Sequence, residues 1–149
     1  MIAVVEVRIQ RLPHAPSLPA YATPGSAGLD IAAALEAPMT LTPGARALVP
    51  TGLRLAVPEG YEVQIRPRSG LALRHGLMLP NSPGTIDSDY RGELQIIVMN
   101  AGTAPIHIER GMKIAQLVLQ PVPRVAWLEC AALDATERGD GGFGSTGVR

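Results

Sequence analysis

LRLAVPEGYEVQIR, Leu53 to Arg66, repeats every second residue. Leu53, Leu55 and Val57 alternate with polar or small neighbours, and Tyr61, Val63 and Ile65 alternate with Glu62, Gln64 and Arg66 around a Pro58-Glu59-Gly60 turn. A period of two is that of a strand with one face on a core, so the segment is expected to form a hairpin ending at Arg66-Pro67. Working outward, Val5, Val7 and Ile9 alternate in the same way. A Pro-rich connector runs from Pro13 to Pro24, and Leu41 to Val49 reads as a strand interrupted at Pro43-Gly44. Leu77 to Asp87 reads as a hairpin around Pro80 to Gly84, and Leu94 to Met99 as a central strand buried on both faces. Ile106 and Ile108 open a further strand pair, and GMKIAQLVL, Gly111 to Leu119, reads as another strand. Ser69 is placed to cap a short helix that Gly76 ends. The fold class expected is all-β.

Composition agrees with that reading. The 149 residues suit one domain, and with aromatics at 3% the core must be aliphatic. Sixteen glycines and fourteen prolines are spread among many short strands. Thirteen basic and thirteen acidic side chains cancel, which gives no reason to expect a nucleic-acid polymer or a membrane surface as partner. No apolar run approaches spanning length, so a soluble, cytoplasmic protein is expected. Cys130 is the sole cysteine, which excludes an intrachain disulfide and reads as a small buried residue. His14, His75 and His107 are too scattered for structural zinc.

Several stretches carry more polar chemistry than a core needs. GTIDSDYRGE, Gly84 to Glu93, offers Asp87 as a general base and Tyr90 as a wall for a sugar or base; a polar turn with solvated charges would use the same residues. GSAGLDI, Gly25 to Ile31, delivers Asp30, which could equally cap a turn. Arg68, Ser69 and Gly70 bring a guanidinium, a hydroxyl and N–H groups to a helix start, suited to an anion; an ordinary N-cap beside a solvated arginine would use the same residues. Asn81 holds the donor and acceptor needed to read a base edge, although an Asn in a turn more often bonds its own backbone. Gln95 and Gln116 are polar members of apolar strands; a lone Gln such as Gln116 is more often a buried side chain bonded to backbone than a ligand group. From Asp134 the composition changes. RGDGGFGSTG, Arg138 to Gly147, has five glycines and the chain's one phenylalanine, Phe143, among Arg138, Ser145 and Thr146. An aromatic on such a segment suits stacking on a planar base.

AGLDI, PRSGLA, GTIDSDYRGE, GMKIAQ and RGDGGFGSTG, in this order across nearly the whole chain, resemble the trimeric dUTPases, deoxyuridine triphosphate nucleotidohydrolases. The resemblance implies a jelly-roll-like β-barrel or sandwich over residues 1–133, with one short helix, and a flexible arm over 134–149 that closes on the active site. It implies a homotrimer with sites shared between subunits. The activity implied is Mg²⁺-dependent hydrolysis of dUTP to dUMP and pyrophosphate, which supplies dUMP for dTMP synthesis and keeps uracil out of DNA. Carried over by position, Asp87 is the base that activates the attacking water, and Tyr90 packs under the deoxyribose. Asn81, Thr85 and Ile86 read uracil. Arg68, Ser69, Gly70 and Gln116 grip phosphate, and Gln95 lies near the nucleotide. Arg138, Phe143, Ser145 and Thr146 form the closing arm. No direct metal ligand is expected, with Asp30 reaching the ion through water. Thr85 stands where many relatives have an aliphatic residue, a small departure if the backbone does the reading. A dCTP deaminase-type relative and a non-catalytic nucleotide-binding module are the alternatives; against the first, Ile97 falls where a deaminase needs glutamate.

Overall fold

The structure, a computed structural model, describes residues 4–147. Twelve strands and one helix are formed among them, one of the strands lying within the stretch expected to be a Pro-rich connector. They are β1 (Arg8–Arg11), β2 (Ala20–Tyr21), β3 (Leu29–Ala32), β4 (Met39–Leu41), β5 (Arg46–Pro50), β6 (Leu53–Ala56), β7 (Tyr61–Arg66), α1 (Ser69–His75), β8 (Leu77–Met78), β9 (Gly84–Ile86), β10 (Gln95–Asn100), β11 (Ile106–Ile108) and β12 (Lys113–Pro121). This is an all-β, jelly-roll-like fold with one short helix.

The strands join as β2-β3-β12-β7-β9, β5-β10-β8, β1-β6 and β11-β4, every pair antiparallel. Their inward faces meet in one aliphatic core that includes Leu53, Leu77, Leu94, Ile96, Ile108 and Ile114, all fully buried. Two polar side chains are buried with them, and both are bonded. Thr51 donates to the Leu94 carbonyl (2.6 Å), and Asn100 donates to Leu41 and Ala104 carbonyls (both 2.8 Å) while accepting from the Gly102 N–H (2.8 Å).

The strand positions follow the sequence, but several pairings do not. The two arms of the expected 53–66 hairpin do not pair: β6 lies on β1, whereas β7 lies between β12 and β9. The turn is a corner between sheets, with Gly60 at φ 84° and its carbonyl taken by the Val122 N–H. Leu77 to Asp87 is likewise no hairpin, since β8 pairs with β10 and β9 with β7. β10 is central but buried on one face only; Gln95 and Ile97 point outward. All four residues of β1 are exposed. Ser69 is the first helical residue, not the cap; Arg68 holds the cap position without a side-chain bond. Gly76 does end the helix in the left-handed conformation (φ 70°). Cys130 is exposed, because the chain leaves the core after β12.

Candidate active site

Sheet order sets the first half of the site. β3 and β12 are neighbours, with Asp30 opposite Gln116, and Gln116 is opposite Arg66 on β7. The chain leaving β7 passes Pro67 and enters α1, so Arg68, Ser69 and Gly70 rise beside Asp30. They enclose a cavity of about 370 Å³ with Gly28, Arg74 and Gln116. Asp30 is its one carboxylate, and it is already paired: Arg68 Nε lies 3.1 Å from Oδ1 and Lys113 Nζ 3.4 Å from Oδ2. Arg68 is held on its other side by donation to the Lys113 carbonyl (3.0 Å). Gln116 donates to the Pro67 carbonyl (3.1 Å), the backbone bond its sequence context suggests. Its side chain fills the space where a Cβ on Gly28 would sit, so residue 28 must lack one. Two cations, an amide and the free N–H groups of the first turn of α1 give this cavity the chemistry to hold a polyanion.

The second half is at the opposite edge of the same sheet. β9 ends at Ile86, and the turn after it carries Asp87 and Tyr90, with the Tyr90 N–H donating to the Asp87 carbonyl (3.2 Å). Thr85, Ile86, Asp87, Tyr90, Glu93, Gln95 and Ile97 line a cavity of about 270 Å³. Asn81 lines a neighbouring hollow that shares Leu48 and Ile97 with this cavity. Asn81, Thr85, Ile86, Asp87, Tyr90 and Gln95 are thus brought together, and Arg68, Ser69, Gly70, Gln116 and Asp30 are brought together. The two groups are not brought to each other. Three strand spacings and about four residues along the sheet separate Asp87 from Asp30, roughly 20 Å.

The tail joins neither group. Beyond Pro121 no further strand forms among the described residues, and Val125, Trp127, Leu128 and Leu133 are all exposed. Phe143 is fully exposed, and Arg138 Nε donates to the Gly141 carbonyl within the tail (2.8 Å). Ser145 and Thr146 are exposed beside it. A separate cleft of about 640 Å³ is lined by aliphatic residues such as Val7, Leu18, Leu55 and Leu117 and lacks the charged groups of the two cavities.

Arg74, Lys113, Glu93 and His14 stand at the site without having been assigned from sequence. Lys113 pairs with Asp30 because β3 and β12 are adjacent, which the GMKIAQ string does not reveal. Glu93 accepts from His14 Nε2 (2.7 Å) and from the Gly52 N–H (2.8 Å). Burial pushes its carboxyl up, but the His14 and Gly52 hydrogen bonds and the charges of His14 and Arg54 outweigh this and hold it below the usual range. Among the described residues no three His, Cys, Asp or Glu side chains converge on a metal position, and no helix is long and apolar enough to cross a membrane.

A model of the dUTPase family matches residues 15–147. A deoxyuridine 5'-triphosphate nucleotidohydrolase of Roseobacter denitrificans is 57% identical over 150 residues, covering 98% of this chain and 99% of its own. One from Rickettsia massiliae is 51% identical over 148 residues, covering 99% and 100%. Among solved structures, a variant dUTPase of Staphylococcus bacteriophage 80alpha with dUpNHpp has a TM-score of 0.87 at 26% identity, covering 97% of this chain and 100% of its own. A variant dUTPase from phage phi11 of S. aureus, described for coordination of a structural Mg(II) ion, has a TM-score of 0.77 at 23% identity, covering 86% and 98%.

Proposed function

The chain belongs to the dUTPase family, and from that premise we propose how its residues convert dUTP to dUMP and pyrophosphate. It is an enzyme, a dUTP nucleotidohydrolase. The observation that carries the residue assignment is the grouping of Asp87, Tyr90, Thr85, Ile86 and Gln95 around one cavity that adjoins Asn81. Backbone groups of β9 and the Asn81 amide read the uracil edge. Tyr90 packs against the deoxyribose and leaves no space for a 2′-hydroxyl. Asp87 takes a proton from the attacking water as the new bond forms at the α-phosphorus; the bond to the bridging oxygen breaks in line, and pyrophosphate leaves. A placed general base of this kind contributes about 10²- to 10⁴-fold. Ile97 faces the same cavity and carries no exchangeable proton, which disfavours a deaminase.

The phosphates fall to the other cavity, where Arg68, Ser69, Gly70 and Gln116 neutralise and orient them. With the two cavities roughly 20 Å apart on one chain, a single nucleotide meets both only if they come from different chains. This separation supports a homotrimer in which each site draws base and sugar contacts from one subunit and phosphate contacts from a neighbour. The arm beyond residue 133 closes over it, with Phe143 on the uracil and Arg138, Ser145 and Thr146 on phosphate. Mg²⁺ fits the donor set as a passenger of the triphosphate: Asp30, already paired with Arg68 and Lys113, is one carboxylate and no cage. Bound there, the ion would supply charge neutralisation, with Asp30 within reach through water. The protein acts in the cytoplasm. Pyrophosphate release from dUTP, dTTP, dCTP and UTP tests the reading: dUTP should be preferred by about 10⁴-fold over dCTP. Comparable kcat/KM for dUTP and dTTP would overturn it.

A further inference from the structure

We infer that His14 and Glu93 form a lock that sets the position of the Tyr90 ring and thereby the enzyme's discrimination between deoxyribose and ribose. The inference rests on the placement of Tyr90 against the sugar proposed above. Glu93 grips in two directions. Its carboxylate accepts from His14 Nε2 (2.7 Å) and the Gly52 N–H (2.8 Å), while its backbone carbonyl accepts from the Tyr90 hydroxyl (3.1 Å). The residue that holds the end of the phenol ring is therefore tied by its own side chain to a loop 79 positions earlier in the sequence.

That loop is a firm anchor. Leu12 N–H donates to the Gly52 carbonyl (2.8 Å), and Gly52 (φ 70°) is pressed so closely on Ala15 that a Cβ would come within 2.6 Å of its backbone. Just beyond Glu93, the Leu94 N–H donates to the Leu53 carbonyl (2.7 Å), and Thr51 donates to the Leu94 carbonyl (2.6 Å). The ring itself lies across the bare Cα of Gly92, where a Cβ would come within 2.5 Å of the ring carbon bearing the hydroxyl. Tyr90 is thus boxed by Gly92 and the Glu93 carbonyl, with its remaining surface exposed to the cavity. Glu93 and His14 act through Tyr90 as positioning residues. A solvated surface pair would have no such connection, since Glu93 is partly buried and has a backbone donor as well as the imidazole. Rejecting a 2′-hydroxyl demands that the ring not retreat by the width of an oxygen, and cutting the His14 tie frees the turn to do so.

The test compares kcat/KM for dUTP and UTP in wild type, His14→Ala, His14→Gln, Tyr90→Phe, Tyr90→Ala and the His14→Ala/Tyr90→Phe double variant, each checked by thermal unfolding. Losing one charge-assisted hydrogen bond, His14→Ala should raise relative UTP turnover about tenfold. His14→Gln, whose amide nitrogen reaches about where imidazole Nε2 sits, should restore the wild-type ratio. Tyr90→Phe, which releases the ring from the Glu93 carbonyl, should raise it too, and the double variant should add nothing further. A folded His14→Ala with the wild-type ratio, or additive effects in the double variant, overturns the lock. If His14→Ala does not fold, Glu93→Gln, which keeps the shape but weakens the acceptor, takes its place: a raised UTP ratio supports the lock and an unchanged one overturns it. A Tyr90→Ala variant with an unchanged ratio would instead remove the sugar role of Tyr90, and the lock with it. A changed Tyr90→Ala ratio beside an unchanged His14→Ala ratio removes the lock alone.

Discussion

Replacing Gly28 with alanine reaches the phosphate cavity without altering a charged group. The new Cβ would overlap the Gln116 Oε1 and stand 3.2 Å from its Cβ and Cδ, so the Gln116 side chain must swing out of place. Its bond to the Pro67 carbonyl is then lost. For one partly buried hydrogen bond that is about 1 kcal/mol of stability, or a Tm lower by about 2–4 °C. The catalytic effect should be larger. If Gln116 donates to a charged phosphate oxygen, its displacement removes about 1.5–3 kcal/mol of binding, or about 10- to 150-fold in kcat/KM. A coupled assay of pyrophosphate release over a range of dUTP concentrations reads this directly. Gly25→Ala is the control, because a Cβ there meets nothing within 4 Å. A folded Gly28→Ala with kcat/KM within about twofold of the control would refute the reasoning that Gln116 holds phosphate.

Asp87→Asn should lower kcat by about 10²-fold or more and leave binding of a non-hydrolysable dUTP analogue unchanged by calorimetry. Truncation after Thr136 should leave Tm unmoved, since residues 137–147 include no buried side chain, yet reduce kcat/KM at least about tenfold through lost stacking. Asn100→Ala removes a fully buried amide and its three backbone bonds, one buried and two partly buried, and should cost about 3 kcal/mol, lowering Tm by about 6–12 °C. The Glu93 carboxyl is held below its ordinary 4.5, so its contribution to stability is complete above that pH and is lost as pH falls through the lower folded value. Unfolding scans between about pH 6 and pH 3 should therefore show a steeper acid loss in wild type than in Glu93→Gln.

Alternation told which residues face the core, and Val63, Ile65, Leu53 and Leu55 are all buried as their period demands. It could not tell which strand pairs with which. Leu53–Ala56 and Tyr61–Arg66 are consecutive and share a tight turn, yet belong to different sheets, because a period of two fixes a face and not a partner. The site was legible where its residues are close in sequence: Asp87 and Tyr90 share one turn, and Arg68 to Gly70 share another. It was not legible where strand order makes the contact. Lys113 and Arg68 meet at Asp30, and His14 meets Glu93 across 79 positions, through pairings no local pattern encodes. Cys130 shows the other limit, since composition says that a residue is small and apolar but not whether its own chain has a surface to cover it.

The central claim is that each site joins the Asp87 cavity of one subunit to the Arg68 cavity of another. Asp87→Asn and Arg68→Ala chains should each form folded, inactive trimers. After equal mixing and refolding, about three quarters of the trimers contain both chains, and each of those has one site with an intact base and an intact phosphate grip. Pyrophosphate release from dUTP should then recover to about a quarter of wild type. Mixed trimers, confirmed by native mass spectrometry, that remained as inactive as their parents would contradict the account.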